Sequence, residues 1–282
     1  MNPSSLSIGI DLGGTHVRLG VVDHDGRVLA DARDATPGGL EPLLEWLGEA
    51  AATVGAAAEV DGGLPSGALP VGLGLPGLFV DDRSGVVRAH NLPWLEGVPL
   101  AARVAAALGA PRVVLQPDGV AGAWGEYRVR VPRPRRFGYL ALGTGVGGGV
   151  VLDGEIVRHT NHSAGHLGML PCDPAAATDP RAGSLDAMAS GAAIRAEVEE
   201  LGFDAALERA AQRLAIGVSA MAHLYRLDTV VLGGGAVEAA PALAEAVAAR
   251  LAGRLLLLGG LSIEASRLGR HAGLVGAAWL AI

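Results

Sequence analysis

The sequence predicts an α/β protein built from two similar halves facing each other across a cleft, and two stretches carry that prediction. From Ser7 to Leu29 the chain reads SIGIDLGGTHVRLGVVDHDGRVL. This is an apolar run ending in Asp11, a glycine turn closed by Thr15, a second apolar run ending at Asp23, an Asp-Gly turn and a third short run. From Tyr139 the pattern returns as YLALGTGVGGGVVLDGEIV, with Gly143, Thr144 and Gly145 in the turn and a second Asp-Gly turn at Asp153 and Gly154. Two copies of strand, turn, strand and hairpin, about 130 residues apart, read as an internal repeat. Between and after them strands alternate with helical periodicity, which favours a mainly parallel sheet covered by helices.

In chain order, Gly13 and Gly14 let the backbone bring its N–H groups close to an anion, and Thr15 adds a hydroxyl. Asp11, at the carboxyl end of its strand, is placed to hold a hydrated cation. Leu43, Leu44, Leu47, Ala50, Ala51 and Val54 share one face at helical spacing. VGLGLPG from Val71 is a buried strand entering a Pro-Gly turn. Gly72, Gly74 and Gly77 formally match a dinucleotide fingerprint, but Pro76 lies inside it and no helix follows; Gly143, Gly145 and Gly148 are followed by a strand. A helix with Leu100, Val104 and Leu108 aligned stops at Gly109. RVVLQPDG is then a strand and a turn carrying Asp118, before another helix. A histidine-bearing loop spans residues 158–183, helices follow near 184–200 and 204–223, and Gly233, Gly234 and Gly235 turn a strand into a helix. A strand through Ile263 and a small-residue helix close the chain.

The 282 residues are half hydrophobic, enough for a sizeable core. Mean hydropathy is +0.37, yet no apolar run nears the ~20 residues of a spanning helix, and the start of the chain lacks a basic and then apolar leader. A cytoplasmic protein with no membrane partner is expected. The net charge of −7 argues against nucleic acid. The basic run RVRVPRPRRF, with Arg128, Arg130, Arg133, Arg135 and Arg136, reads as a solvated connection or else as a phosphate or partner patch. The single cysteine, Cys172, rules out an intrachain disulfide. No lysine is present, so Walker A loops and protein-kinase chemistry, which depend on one, are excluded.

In order along the chain, DLGGT (Asp11–Thr15), GLPG (Gly74–Gly77), HNLPW (His90–Trp94), LGTGVGGG (Leu142–Gly149) and VVLGGG (Val230–Gly235) resemble the motifs of the ROK family of sugar kinases and repressors, within the actin-like ATPase superfamily. The resemblance covers nearly the whole chain. It implies a two-lobed, ribonuclease H-like fold. The first lobe would hold residues 1–116 joined by the C-terminal helix, 270–282, and the second residues 117–269. It also implies transfer of the γ-phosphoryl group of ATP, with Mg²⁺, to a sugar hydroxyl. Asp11, Gly13, Gly14, Thr15, Gly143, Thr144, Gly145, Gly233, Gly234 and Gly235 would serve ATP, with Asp11 holding Mg²⁺ through water. Gly77, Asn91, His166 and Asp186 would serve the sugar. The general base of the family falls on Asp118, where a carboxylate about 3 Å from the hydroxyl accepts its proton; capping of the following helix is the other reading of this residue. Family members are often dimers, and the Ala-rich helices near the C-terminus could support one.

The sugar side departs from the family. Pro117 stands where the family has an asparagine, AGHLGM puts His166 for a glutamate and Met169 for a histidine, and Asp186 is one methylene shorter than the usual glutamate. The cysteine-rich zinc motif is absent, and one thiolate cannot build such a site, so no structural zinc is expected. His159, His162, His166 and Cys172 are read as ordinary loop residues, as a substitute metal site, or with His166 touching substrate. An unmatched buried polar group costs on the order of 1–3 kcal/mol, so these changes point away from plain glucose and toward an amino sugar or a sugar-like cyclitol. A family member that binds without catalysing is the alternative; a repressor is set aside because no helix-turn-helix precedes Leu6.

Overall fold

Each half of the chain folds around a five-stranded mixed sheet, and the two sheets share one topology. The computed structural model describes residues 6–58, 69–158, 166–179, 181–252, 254 and 259–282. The chain runs β1 (Ser7–Leu12), β2 (His16–Val22), β3 (Val28–Ala35), α1 (Leu40–Ala57), β4 (Val71–Leu75), a small hairpin of β5 (Leu78–Phe79) and β6 (Val86–Arg88), α2 (Leu100–Leu108), β7 (Val113–Pro117) and α3 (Asp118–Arg128). It continues through β8 (Arg136–Leu142), β9 (Val146–Leu152), β10 (Glu155–Ile156), α4 (Leu185–Ala189), α5 (Gly191–Leu201) and α6 (Phe203–Tyr225). Then come β11 (Thr229–Gly233), α7 (Gly235–Ala239), α8 (Ala242–Leu251), β12 (Ser262–Ala265) and α9 (Ala272–Leu280).

The sheet orders are β3-β2-β1-β4-β7 and β10-β9-β8-β11-β12. In each, the first three strands form an antiparallel meander and the remaining pairs are parallel. The expected repeat is thus present, but each sheet is mixed rather than mainly parallel, because the Asp-Gly hairpins force antiparallel pairing on one side. The chain forms two compact units, one of Met1–Gly125, Arg158–Ala164 and Gly273–Ile282, the other of Glu126–Val157 and Gly165–Ala272.

In the first unit α1 buries Leu43, Leu47, Ala50 and Val54, spaced three or four apart, against Ile10, Leu19 and Leu73 of the sheet. In the second, α6 buries Ala210, Ala211, Leu214 and Val218 against Leu140, Val230 and Leu232. The helix expected over 184–200 is two helices. Ser190 is extended and its hydroxyl accepts the Ala193 N–H, so it ends α4 and caps α5. The basic run is in part the solvated connection expected, since Val131, Pro132, Arg133 and Arg135 are exposed between α3 and β8, but Arg130 departs from it. Arg130 is buried and pairs with Glu126 at 2.6 Å, Arg135 pairs with Asp153 and Arg136 with Asp228.

The C-terminal helix belongs to the first unit and approaches it backbone to backbone. A β-carbon at Gly9 would strike the Leu274 carbonyl, one at Gly72 the Ala277 carbonyl, and one at Gly276 the Ala121 carbonyl. Leu274, Val275, Ala277 and Ala278 are fully buried there. Contacts with backbone atoms cannot be relieved by a rotamer change. Gly72→Ala is therefore expected to lose about 3 kcal/mol or more of stability in urea denaturation. Gly38→Ala, where nothing lies within 4 Å of the added carbon, should be neutral or slightly stabilising.

Candidate active site

In the first unit, Asp11 of β1 lies opposite Gly74 of β4, and Gly74 lies opposite Gln116 of β7. The three parallel strands therefore deliver Asp11 and, just past β7, Asp118 to one sheet edge, the carboxyl edge where α/β ligands bind. Asp118 is the first residue of α3 rather than part of a turn ahead of it, and its Oδ1 accepts the Gly119 N–H at 2.7 Å.

The Asp11 carboxylate rests on the Cα of Gly273, where a β-carbon would lie 2.8 Å from its carboxyl carbon. Arg18 of β2 is its cross-strand neighbour; the guanidinium is buried and its Nε lies 3.3 Å from Asp31 Oδ2. Burial pushes the Asp11 carboxyl up to about 7, the nearby Asp118 charge adds to this, and Arg18 opposes both. Arg18 and Gly273 carry no motif and escape sequence reading; the nearest signal for Gly273 is a glycine inside an Ala/Leu helix.

The first glycine turn is closed by the Gly13 N–H donating to the His16 carbonyl at 2.9 Å and by the Thr36 hydroxyl donating to the Gly13 carbonyl at 2.7 Å. Gly14 and Thr15 are exposed on it. Asn91 packs on this turn, its Cβ 3.0 Å from the point where a Gly14 β-carbon would stand. Gly77, with φ of +146°, presses against the Arg88 carbonyl and so fixes the β5–β6 hairpin that leads to Asn91.

The second unit repeats the turn, with the Gly143 N–H donating to the Gly145 carbonyl at 2.9 Å. Asp186 sits against it: its Oδ1 accepts the Val146 N–H at 2.7 Å and fills the space beside Gly145. The resemblance implies a sugar contact for Asp186, and within this unit it also touches the second glycine turn. Thr144 is exposed at the tip. His166 is exposed and precedes a single 3₁₀ turn, its carbonyl accepting the Met169 N–H at 3.0 Å. The third glycine turn has Gly234 at φ +86°, folded against Leu142, and Gly235 opening α7. A cavity of about 130 Å³ lies beside it, lined among others by Gly233, Gly234, Val237, Glu238, Ser266 and Gly269. The last four carry no motif in the sequence.

Among the described residues no three His, Cys, Asp or Glu side chains are grouped to hold a metal; His159 and His162 lie outside the described residues. Cys172 is buried, which pushes its thiol up and keeps it protonated. No helix among the described residues is long and apolar enough to cross a membrane.

A model of the ROK family matches residues 7–282. This chain belongs to the ROK family. The glucokinase of Streptomyces coelicolor is 29% identical over 320 residues, covering 98% of this chain and 97% of that protein. The N-acetylmannosamine kinase of Citrobacter koseri is 30% identical over 200 residues, covering 68% and 64%. A ROK family glucokinase from Streptomyces griseus, solved in complex with glucose and AMPPNP, superposes with a TM-score of 0.82 at 27% identity, over 98% of this chain and 99% of that one. The ROK chain described here has the two-domain actin-like ATPase fold and is an ATP-dependent sugar kinase.

The raised Asp11 carboxyl has a consequence for stability. Between about pH 4 and 7 the unfolded chain ionises this group while the folded chain keeps its proton, so folding loses stability as pH rises through that window and stays flat above it. Asp11→Asn should match the wild-type melting temperature near pH 4 and exceed it at pH 8. An equal difference at both pH values would show that burial of the charge is not the cause.

Proposed function

We propose that the chain transfers the γ-phosphoryl group of ATP to the 6-hydroxyl of a hexose derivative, an amino sugar or a sugar-like cyclitol, with Asp118 as general base. The observation that carries this is the pair Asp11 and Asp118, two carboxylates close enough for one to raise the other's pKa at the carboxyl edge of the parallel strands. Their environments separate their tasks. Asp11, packed on Gly273 and beside Arg18, is the group that gains from a cation, since a divalent ion would offset both its burial and its repulsion by Asp118. The residues fit Mg²⁺ in this sense, and Asp11 would hold it through water. Mg²⁺ bound with ATP supplies charge neutralisation on the transferred phosphoryl group.

Asp118 then accepts the proton of the acceptor hydroxyl. Its hydrogen bond to Gly119 holds the carboxylate at the end of α3. Asn91, packed on Gly14, would present its amide to the acceptor next to the turn that takes the phosphate. Thr15 and the two glycine turns would hold the polyphosphate, and the cavity beside Gly233 and Gly234 would take the adenosine. His166, exposed, would meet substrate; Asp186, with one oxygen committed to Val146, would offer its other oxygen to a hydroxyl.

The departure from glucose rests on Pro117. A proline just before the base has no side-chain donor or acceptor for a sugar hydroxyl, and a site lacking such a partner discriminates against the sugar that needs it. Glucose, amino sugars, N-acetylated sugars and cyclitols should be compared by kcat/KM with ATP and Mg²⁺. A derivative is expected to lead, and glucose as the best substrate would overturn the derivative reading. Asp118→Asn should lower kcat about 10²–10⁴-fold with the KM for ATP nearly unchanged. Because a cation competes with the Asp11 proton, raising Mg²⁺ should move the acid limb of the pH–rate profile to lower pH. A limb that stays fixed across Mg²⁺ concentrations would remove Asp11 from the metal site.

A further inference from the structure

Glu126 is a fully buried carboxylate eight positions after Asp118 in α3, and no step described so far uses it. It accepts four hydrogen bonds: from Arg130 Nη1 at 2.6 Å, from the Ser266 hydroxyl, from the Arg267 N–H at 3.1 Å and from the Leu268 N–H at 2.9 Å. Three of these donors belong to one irregular segment, which follows β12 and precedes the 3₁₀ turn Gly269–His271. The Ser266 oxygen in turn accepts the Gly269 N–H at 2.7 Å. Ser266 and Gly269 line the cavity beside the third glycine turn, and the Ser266 Cβ stands 3.1 Å from where a Gly233 β-carbon would be. On the far side Glu238, another lining residue, accepts the Arg270 N–H.

We propose that Glu126 is a positioning residue of the nucleotide site, its buried carboxylate fixing the Ser266–Gly269 segment as one wall of the adenosine cavity. A loop wall with no strand or helix of its own holds its shape only through such bonds. A buried carboxylate satisfied by a guanidinium and by the loop's own donors is a stiff anchor. Arg130 completes the anchor. It is itself buried, lies 5.4 Å from the Phe137 ring centre and reaches Glu264 of β12 at 3.4 Å, so the carboxylate is also tied to β12. The proposal rests on the reading that this cavity takes the adenosine of ATP.

In Glu126→Gln one oxygen still accepts, but the new amide meets donors instead of accepting from them. The wall should loosen while Asp118 and the acceptor side are untouched. The experiment is steady-state kinetics and calorimetric AMPPNP binding on the full chain for wild type, Glu126→Gln, Ser266→Ala and the double variant. The expected result is a rise of about tenfold in the KM for ATP and the Kd for AMPPNP in each single variant. kcat and the sugar KM should stay within about twofold, and the double variant should be no worse than the weaker single one, because both remove one linkage. Nucleotide affinity unchanged in both singles, or a fall in kcat and a rise in the sugar KM accompanying its loss, would overturn the proposal. Ser266→Ala keeps the test open if Glu126→Gln does not fold. Pro241→Trp, at an exposed lining position, separates the two ideas. If it leaves AMPPNP binding intact, the cavity does not take adenosine and both readings fall. If it abolishes binding while Glu126→Gln and Ser266→Ala do not weaken it, only the positioning role falls.

Discussion

A half-buried carboxylate at the end of a central strand sets the terms for the first unit. Asp11 sits where β1 ends, opposite Arg18 and on the bare Cα of Gly273. A charge there is tolerated only with compensation, and a single buried arginine whose Nε is shared with Asp31 does not fully supply it. The neighbours of Asp11 thus compensate its charge only in part. A cation placed beside the pair of Asp11 and Asp118 would remove a repulsion already present in the free protein.

The repeat was legible in the sequence because its signals are local. Glycine turns, Asp-Gly hairpins and apolar alternation are written within twenty residues of one another, and the two sheets follow from them. The same locality explains the errors. Arg130 of the basic run is buried where the fold brings Glu264 of β12 to it from more than a hundred positions away. The break at Ser190 is invisible in an apolar run until the hydroxyl is seen capping α5.

The site was legible in the same uneven way. Asp11, Asp118 and the glycine turns stand at strand ends, and strand ends can be read from patterning. Asp186 could be numbered but not placed: its bond to Val146 crosses forty positions and depends on how α4 packs beside β9. Arg18, Gly273 and Ser266 act through neighbours brought by the fold, and no spacing rule marks them. In the second unit Thr144 stands where the first has Gly14, and the turns close differently, the Gly13 N–H on the His16 carbonyl and the Gly143 N–H on the Gly145 carbonyl, so each carries an exposed threonine at a different position.

The last helix has a consequence for how the chain is made. α9 fills the floor of a sheet whose strands were synthesised first, and it seats on β1 and β4 so closely that no side chain intervenes. At roughly 5–20 residues per second, that sheet waits on the order of ten seconds or more with its glycine floor open before its covering helix leaves the ribosome. The second unit receives its last strand, β12, and its last residue, Ala272, just before α9 is made. The half of the enzyme that is translated first is therefore the half that finishes folding last, and during that wait its uncovered strands are the surface a chaperone would meet.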